Sequence, residues 1–231
     1  MKKRISLALF IMAFASITVY SQPKVYHTTG GEAIFSLSDI VFDDYQVNSN
    51  IRFTMFFHTQ NRLNIDFDKN LGIFTGLGLR NIGFITEDLY QNVGFTGIDN
   101  THPDWNKEVK IKRRSYSLGI PLAVKIGNMD GVYVFAGGEY EWMFHYKQKL
   151  FIDGNKYKYS QWTSNRVNTF IPSVFAGIQL PQGMNVKFTY YLDDFLNPDF
   201  SGVDFGENVD YSRFQSTGVF FISLSYIYRK R

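Results

Sequence analysis

Six cations of this chain, Arg52, Arg62, Arg80, Arg113, Lys125 and Lys187, fall in strand register on the same faces as Glu32, Asp66, Glu139, Glu141 and Asp193. Charges this nearly balanced could do one of two things. Along a water-filled passage they would carry ions or protons, and in a closed interior they would pair and fill it. An isolated charge out of water is costly, so a paired network is expected. His58 and His145 fall on the same faces. A catalytic histidine needs a nucleophile or an activating carboxylate in reach, and no arrangement such as Asp-x-His accompanies either. His102, Asp193, Asp194 and several serines sit at heights where rim chemistry is conceivable, yet they read as polar rim and loop residues. No catalytic residue is expected.

Two other stretches imitate binding motifs. Residues 72–84 read GIFTGLGLRNIGF, but the spacing from Gly76 and Gly78 to Gly83 places Asn81 where a dinucleotide fingerprint wants glycine. No helix pattern follows to aim at a phosphate. In strand register Gly72, Phe74, Gly76, Gly78 and Arg80 share the inner face, so the glycines make room for large side chains such as Glu139 or Glu141. Residues 66–72, DFDKNLG, carry acids at alternate positions like a calcium loop. Gly72 stands one place late, and Leu77 occupies the closing glutamate's position, so a hairpin turn is expected. The acids of the late loop, Asp199, Asp204, Glu207 and Asp210, read as solvated. With no cysteine in the chain, thiolate chemistry and cysteine metal sites are excluded, and no metal or cofactor is expected.

The elements that position these residues follow from hydropathy. Residues 1–21 join Lys2, Lys3 and Arg4 to an apolar core from Ile5 to Val19, too short for the roughly 20 residues of a spanning helix, and read as a signal peptide cleaved after Ser21. Its loss takes three of 24 basic residues and none of 21 acidic ones, so residues 22–231 are formally neutral. That balance gives no support to nucleic-acid binding.

Beyond the signal, period two dominates. From Tyr116 to Ile126 the even positions are Tyr116, Leu118, Ile120, Leu122, Val124 and Ile126, opposite Ser117, Gly119, Pro121, Ala123 and Lys125. Leu118 to Ile126 would span roughly 27 Å, the height of a membrane barrel's apolar band. Strands of soluble sandwiches are usually shorter. Eight such segments are expected, at about 31–42, 50–67, 71–86, 110–127, 131–147, 166–180, 183–195 and 214–228. Short turns (DKN, NMDG, PQG) alternate with long connections at 87–109, 148–165 and 196–213. Turns at one end and long loops at the other, with an even strand count, describe an eight-stranded antiparallel up-and-down transmembrane β-barrel over residues 22–231. Eight strands leave a lumen that side chains fill.

The strand GIPLAVKIGN with its tight turn, the stretch FIPSVFAGIQLPQG, the signal ending in Ser-Gln and the aromatic last strand resemble small outer-membrane β-barrel proteins of Bacteroidota, the PorT-like or outer-membrane-protein β-barrel-domain group. The resemblance covers the whole chain after the signal and brings no catalytic signature. It implies the outer membrane as location, and a structural or accessory role with a partner protein of the outer membrane or periplasm. A departure is Arg229-Lys230-Arg231 after Tyr228, where many such barrels end on an aromatic residue. The alternatives are a small diffusion pore or a lipid-modifying enzyme. Basic residues cluster in two outward segments, Lys107 to Arg114 and Lys147 to Arg166. From these, Lys110, Lys112, Arg114, Lys156 and Lys158 are expected to meet lipopolysaccharide phosphates.

Overall fold

A computed structural model describes residues 22–229; the signal-peptide reading falls outside them. Eight strands form the wall: β1 (Lys24–Phe42), β2 (Thr59–Asp66), β3 (Leu71–Leu89), β4 (Glu108–Gly127), β5 (Tyr133–Ile152), β6 (Phe170–Gln179), β7 (Met184–Tyr191) and β8 (Phe214–Arg229). Each pairs antiparallel with its chain neighbours, and β8 pairs with β1 from Thr28↔Arg229 to Phe42↔Phe214. The ring is therefore closed. In hydrocarbon an open edge would leave backbone groups without partners, at several kcal/mol each.

Polarity is inverted relative to a soluble barrel. On β4 the side chains of Ile120 and Leu122 are 60% and 62% exposed, while Lys125 between the same strands is 0% exposed. Val134, Tyr140, Val174, Phe188, Ile222 and Leu224 continue this apolar outer surface around the ring. The β4 and β3 registers match the alternation in the sequence. The apparent calcium loop is a hairpin turn, in which the Asp68 Oδ1 accepts from the Asn70 and Leu71 amides at 2.6 and 2.8 Å.

Several boundaries differ from the sequence reading. β1 starts seven residues earlier than 31, because Lys24 to Gly31 have a ladder partner in β2. The segment expected at 50–67 is broken: Arg52–Thr54 pairs with β1, residues 55–57 leave the wall, and β2 begins at Thr59 after the buried His58. β5 outruns the barrel and turns at Asp153-Gly154 into a hairpin with Asn155–Trp162.

A bulge shifts the upper half of β5. Tyr116 opposes His145 and Ser117 opposes Met143, so Phe144 is an extra residue. Beyond it Tyr146 turns inward, 0% exposed, and His145 turns outward onto the rings of Tyr116 and Trp162. The inward placement expected for His145 is thus corrected.

The lumen is layered. At the turn end Lys125 meets Asp66; above them Phe74, Ala123, Tyr133, Phe135 and Phe175 pack together. A charged layer follows. The loop end is filled by an apolar core that includes Ile40, Phe84, Phe95, Ile111, Tyr146, Phe195, Tyr211 and Phe221.

Candidate functional site

The charged layer is centred on Arg80, held by β3 and 2% exposed. Its Nε donates to Glu32 Oε2 at 2.9 Å and its Nη1 to Glu139 Oε1 at 2.5 Å, with Glu141 Oε1 at 3.6 Å. Lys187 lies 3.1 Å from the other Glu32 oxygen, and Ser117 donates to Glu141 Oε2 at 2.5 Å. Strands β1, β3, β5 and β7 thus each contribute a charge to one cluster. Glycine makes the space. A Cβ at Gly119 would lie 2.2 Å from Glu139 Oε1, and one at Gly78 3.1 Å from the Arg80 guanidinium. Of the inner-face glycines on β3, Gly78 seats the Arg80 guanidinium itself and Gly76 abuts the backbone of Asn61 and Arg62, while Gly119 on β4 seats Glu139.

Below this layer Lys125 donates to Asp66 Oδ1 at 2.5 Å and to Asn64 Oδ1 at 3.2 Å. Arg62 is inward but meets no carboxylate among its hydrogen bonds. Its Nε and Nη2 donate to Gln60 Oε1 at 3.0 and 2.7 Å, and its guanidinium lies over the Phe74 and Phe135 rings. Arg52 bonds to Asn81, through the backbone oxygen at 2.9 Å and Oδ1 at 2.7 Å. Gln60 and Asn81 are absent from the expected site: Gln60 shares Arg62's face, where an amide can take up spare N–H groups, but Asn81 falls on the opposite face from Arg80 and carries no such signal.

Three members of the expected network lie elsewhere. Arg52 turns its guanidinium away from the carboxylates, to Asn81 beside Tyr116, where it borders an outward cavity with Lys112 and Arg114. Arg113 is inward, but in the apolar loop-end core, where it donates to the Val93 oxygen at 3.1 Å between Phe84 and Phe214. Asp193 is exposed, because β7 ends at Tyr191 and the chain bends before reaching it. Its neighbour Asp194 instead accepts from the Thr217 amide at 2.5 Å.

What remains of the lumen near Arg80 is a cavity of about 10 Å³ bounded by Arg62, Glu139 and Lys187 among others, space for one water at most. His58 is bound within the wall, its Nδ1 at 3.1 Å from the Glu32 backbone oxygen and its Nε2 at 3.4 Å from Thr54 Oγ1.

The long loops close the other end. Arg166, expected among the outward cations, is turned inward. It donates to Asp204 Oδ1 at 2.7 Å, and Tyr211 donates to the other Asp204 oxygen at 2.6 Å. Burial pushes the Tyr211 hydroxyl well above its usual range. Tyr90 stacks on His102, which lies 3.4 Å from Glu207. Burial first, then the Glu207 carboxylate, raises the Tyr90 hydroxyl as well. Thr96 pairs with Asn208, tying the first long loop to the last.

Of the residues expected to meet lipopolysaccharide, Lys110 is paired with Glu87 at 2.6 Å. Arg114 lies over the Tyr116 ring, Lys112 and Lys156 flank Phe151, and Lys158 is exposed on the hairpin. Among the described residues no group of three or more His, Cys, Asp or Glu side chains is arranged to hold a metal ion.

No protein-family model and no curated protein matches the chain. Among the solved structures to which it is similar, at low values, are three outer-surface or outer-membrane proteins. Neisserial surface protein A is 8% identical at a TM-score of 0.38, covering 91% of this chain and 100% of that one. Ail, the attachment invasion locus protein of Yersinia pestis, is 12% identical at 0.35, covering 87% and 99%. The outer membrane protein OprG of Pseudomonas aeruginosa is 13% identical at 0.34, covering 89% and 96%. At those values the likeness carries no argument about function. The strand ring and the inverted polarity carry the architecture by themselves: this chain is an eight-stranded membrane β-barrel.

Proposed function

We propose that the protein is a non-enzymatic barrel of the outer membrane, structural or accessory in role, that holds a partner protein of the outer membrane or periplasm instead of passing solute. The observation that carries this reading is the filled lumen. Ion pairs, an aromatic layer and the loop-end core occupy the interior in succession, and about 10 Å³ remains beside Arg80. A diffusion pore of this strand number would have to unpack all three layers. The enzyme alternative has little to build on, since His145 sits among aromatic rings and His58 is bonded to backbone and a threonine. The outer membrane is favoured because barrels with short turns, long loops and an aromatic girdle are the form that spans it. The resemblance to the Bacteroidota group agrees with a role beside a partner.

Extraction in mild detergent, with affinity capture through a tag, tests the reading together with planar-bilayer recording. One co-purifying protein at fixed stoichiometry and no conductance steps are expected. Recovery of the barrel alone, with steady open-channel current, would contradict it.

A further inference from the structure

The wall has a notch. β3 pairs with β2 up to Leu79↔Thr59 and is next met by Asn50 at Ile85, so residues 80–84 have no ladder partner on that side. The intervening chain keeps only its pairing with β1, through Arg52–Thr54, and residues 55–57 project outward. Two side chains substitute for the missing ladder. Arg52 donates to the Asn81 oxygen at 2.9 Å, and Ser36 Oγ to the Gly83 oxygen at 2.9 Å. A cavity of about 410 Å³ opens there, bounded on one side by Phe53, Phe56 and Phe57 and on the other by Arg52, Lys112, Arg114, Lys147 and Lys149.

The cations around it are arranged against their own electrostatics. Lys112 stands directly opposite Lys149 and Arg114 opposite Lys147, and Lys149 in turn faces Lys158 across the hairpin. Like charges directly opposed on neighbouring strands destabilise a sheet. No carboxylate lines the cavity to offset them. The charge is therefore one that an anion would balance.

The other half of the cavity says what kind of anion. Phe56 and Phe57 are 75% and 74% exposed, and Phe57 meets the edge of Tyr116, below which the apolar face of β4 begins at Leu118. Cations above and aromatic rings below, beside Tyr116, match a phosphate head joined to acyl chains. We infer that this notch binds one phosphate-bearing lipid A headgroup of lipopolysaccharide, its phosphate among Arg52, Lys112, Arg114 and Lys149 and its chains along Phe53, Phe56 and Phe57. The choice of lipid A rests on the outer-membrane reading above, in which the loop end faces the outer leaflet. The site differs from the loop contacts expected from sequence: Lys110 is neutralised by Glu87, and Arg52 and the aromatic knob enter.

Native mass spectrometry of the full chain in detergent, with added lipid, tests it. The lipids are bisphosphorylated lipid A, its dephosphorylated form and phosphatidylglycerol. The proteins are wild type, Arg114→Gln with Lys149→Gln, and a turn-end control, Lys24→Gln with Lys69→Gln. One lipid A is expected on wild type and on the control, with the notch variant weakened about thirtyfold and dephosphorylated lipid A bound no better than that. Equal binding of the dephosphorylated form, or an unweakened notch variant, would overturn the site. Equal binding of phosphatidylglycerol would overturn lipid A as its occupant. Heat-modifiable gel migration of the same samples separates the two levels. A folded barrel without lipid preference sinks the notch alone, and a wild type lacking such migration sinks the membrane reading and the notch together.

Discussion

Replacing Arg80 by methionine removes the one cation that Glu139 touches and one of two that touch Glu32. The packed volume is nearly retained, so the loss is mainly electrostatic. Around the cluster the charges number three of each sign: Arg80, Lys187 and Arg62, the last acting at longer range, against Glu32, Glu139 and Glu141. Arg80→Met leaves two cations with three buried carboxylates. Removing one partner from a buried pair costs about 3–5 kcal/mol, and we expect a loss of about 4 kcal/mol. Adding Glu139→Gln restores a balance of two and two, and about half of the loss should return. Urea unfolding of the protein in lipid vesicles, followed by tryptophan fluorescence and heat-modifiable migration, reads both values. A single-variant loss below about 1 kcal/mol, the range of an exposed pair, would refute the reasoning. So would a double variant no more stable than the single one.

Other expectations follow from the same geometry. Gly119→Val should destabilise by roughly 1–3 kcal/mol in the same unfolding assay, because its first added carbon meets Glu139 at 2.2 Å. Leu122→Arg on the outer face should cost about 2–4 kcal/mol in lipid vesicles, the penalty of arginine near the bilayer midplane, and much less in a soluble barrel. Tyr146→Ala should cost about 3–5 kcal/mol and His145→Ala under about 0.5, since the Phe144 bulge turns the first inward and the second outward. The reverse order in chemical unfolding would place the bulge elsewhere. Lys125→Met should cost about 3 kcal/mol by stranding Asp66 at the turn end, and pairing it with Asp66→Asn should recover part of that.

The wall was legible because lipid and lumen impose opposite demands on successive residues. From Ser117 to Ile126 no irregularity intervenes, and parity alone places each side chain. Parity fails where a residue is inserted. Phe144 is an ordinary aromatic in an aromatic strand, and nothing in its type announces that it will be skipped, so His145 and Tyr146 exchange faces. The broken second strand is similar: Met55-Phe56-Phe57 is as apolar as a lipid-facing run and leaves the wall all the same. Parity also reports a face and not a depth. Arg80 and Arg113 are both inward, but one meets three carboxylates and the other a carbonyl among aromatic rings, because β3 and β4 are long enough to carry their upper ends into the loop core. Cross-barrel partners such as Arg80 with Glu139, 59 residues apart, depend on the stagger of every strand between them. The segment expected at 183–195 runs four residues past Tyr191, where β7 ends, and Asp193 falls inward only within that overrun.

The central claim is that the apolar face meets lipid and the charged face is sealed from water. The chain has no cysteine, so single cysteines introduced for spin labels report one position each. Labels at Ile120, Leu122 and Val174, and at Ser117 and Ala123, in lipid vesicles would sample the two faces. Collision with dissolved oxygen but not with a water-soluble nickel complex is expected at the outer three, and contact with neither at the inner two. Ready access of the nickel complex to Leu122 would make the apolar face a wetted surface, and its access to Ser117 would open the lumen. Either result would contradict the account.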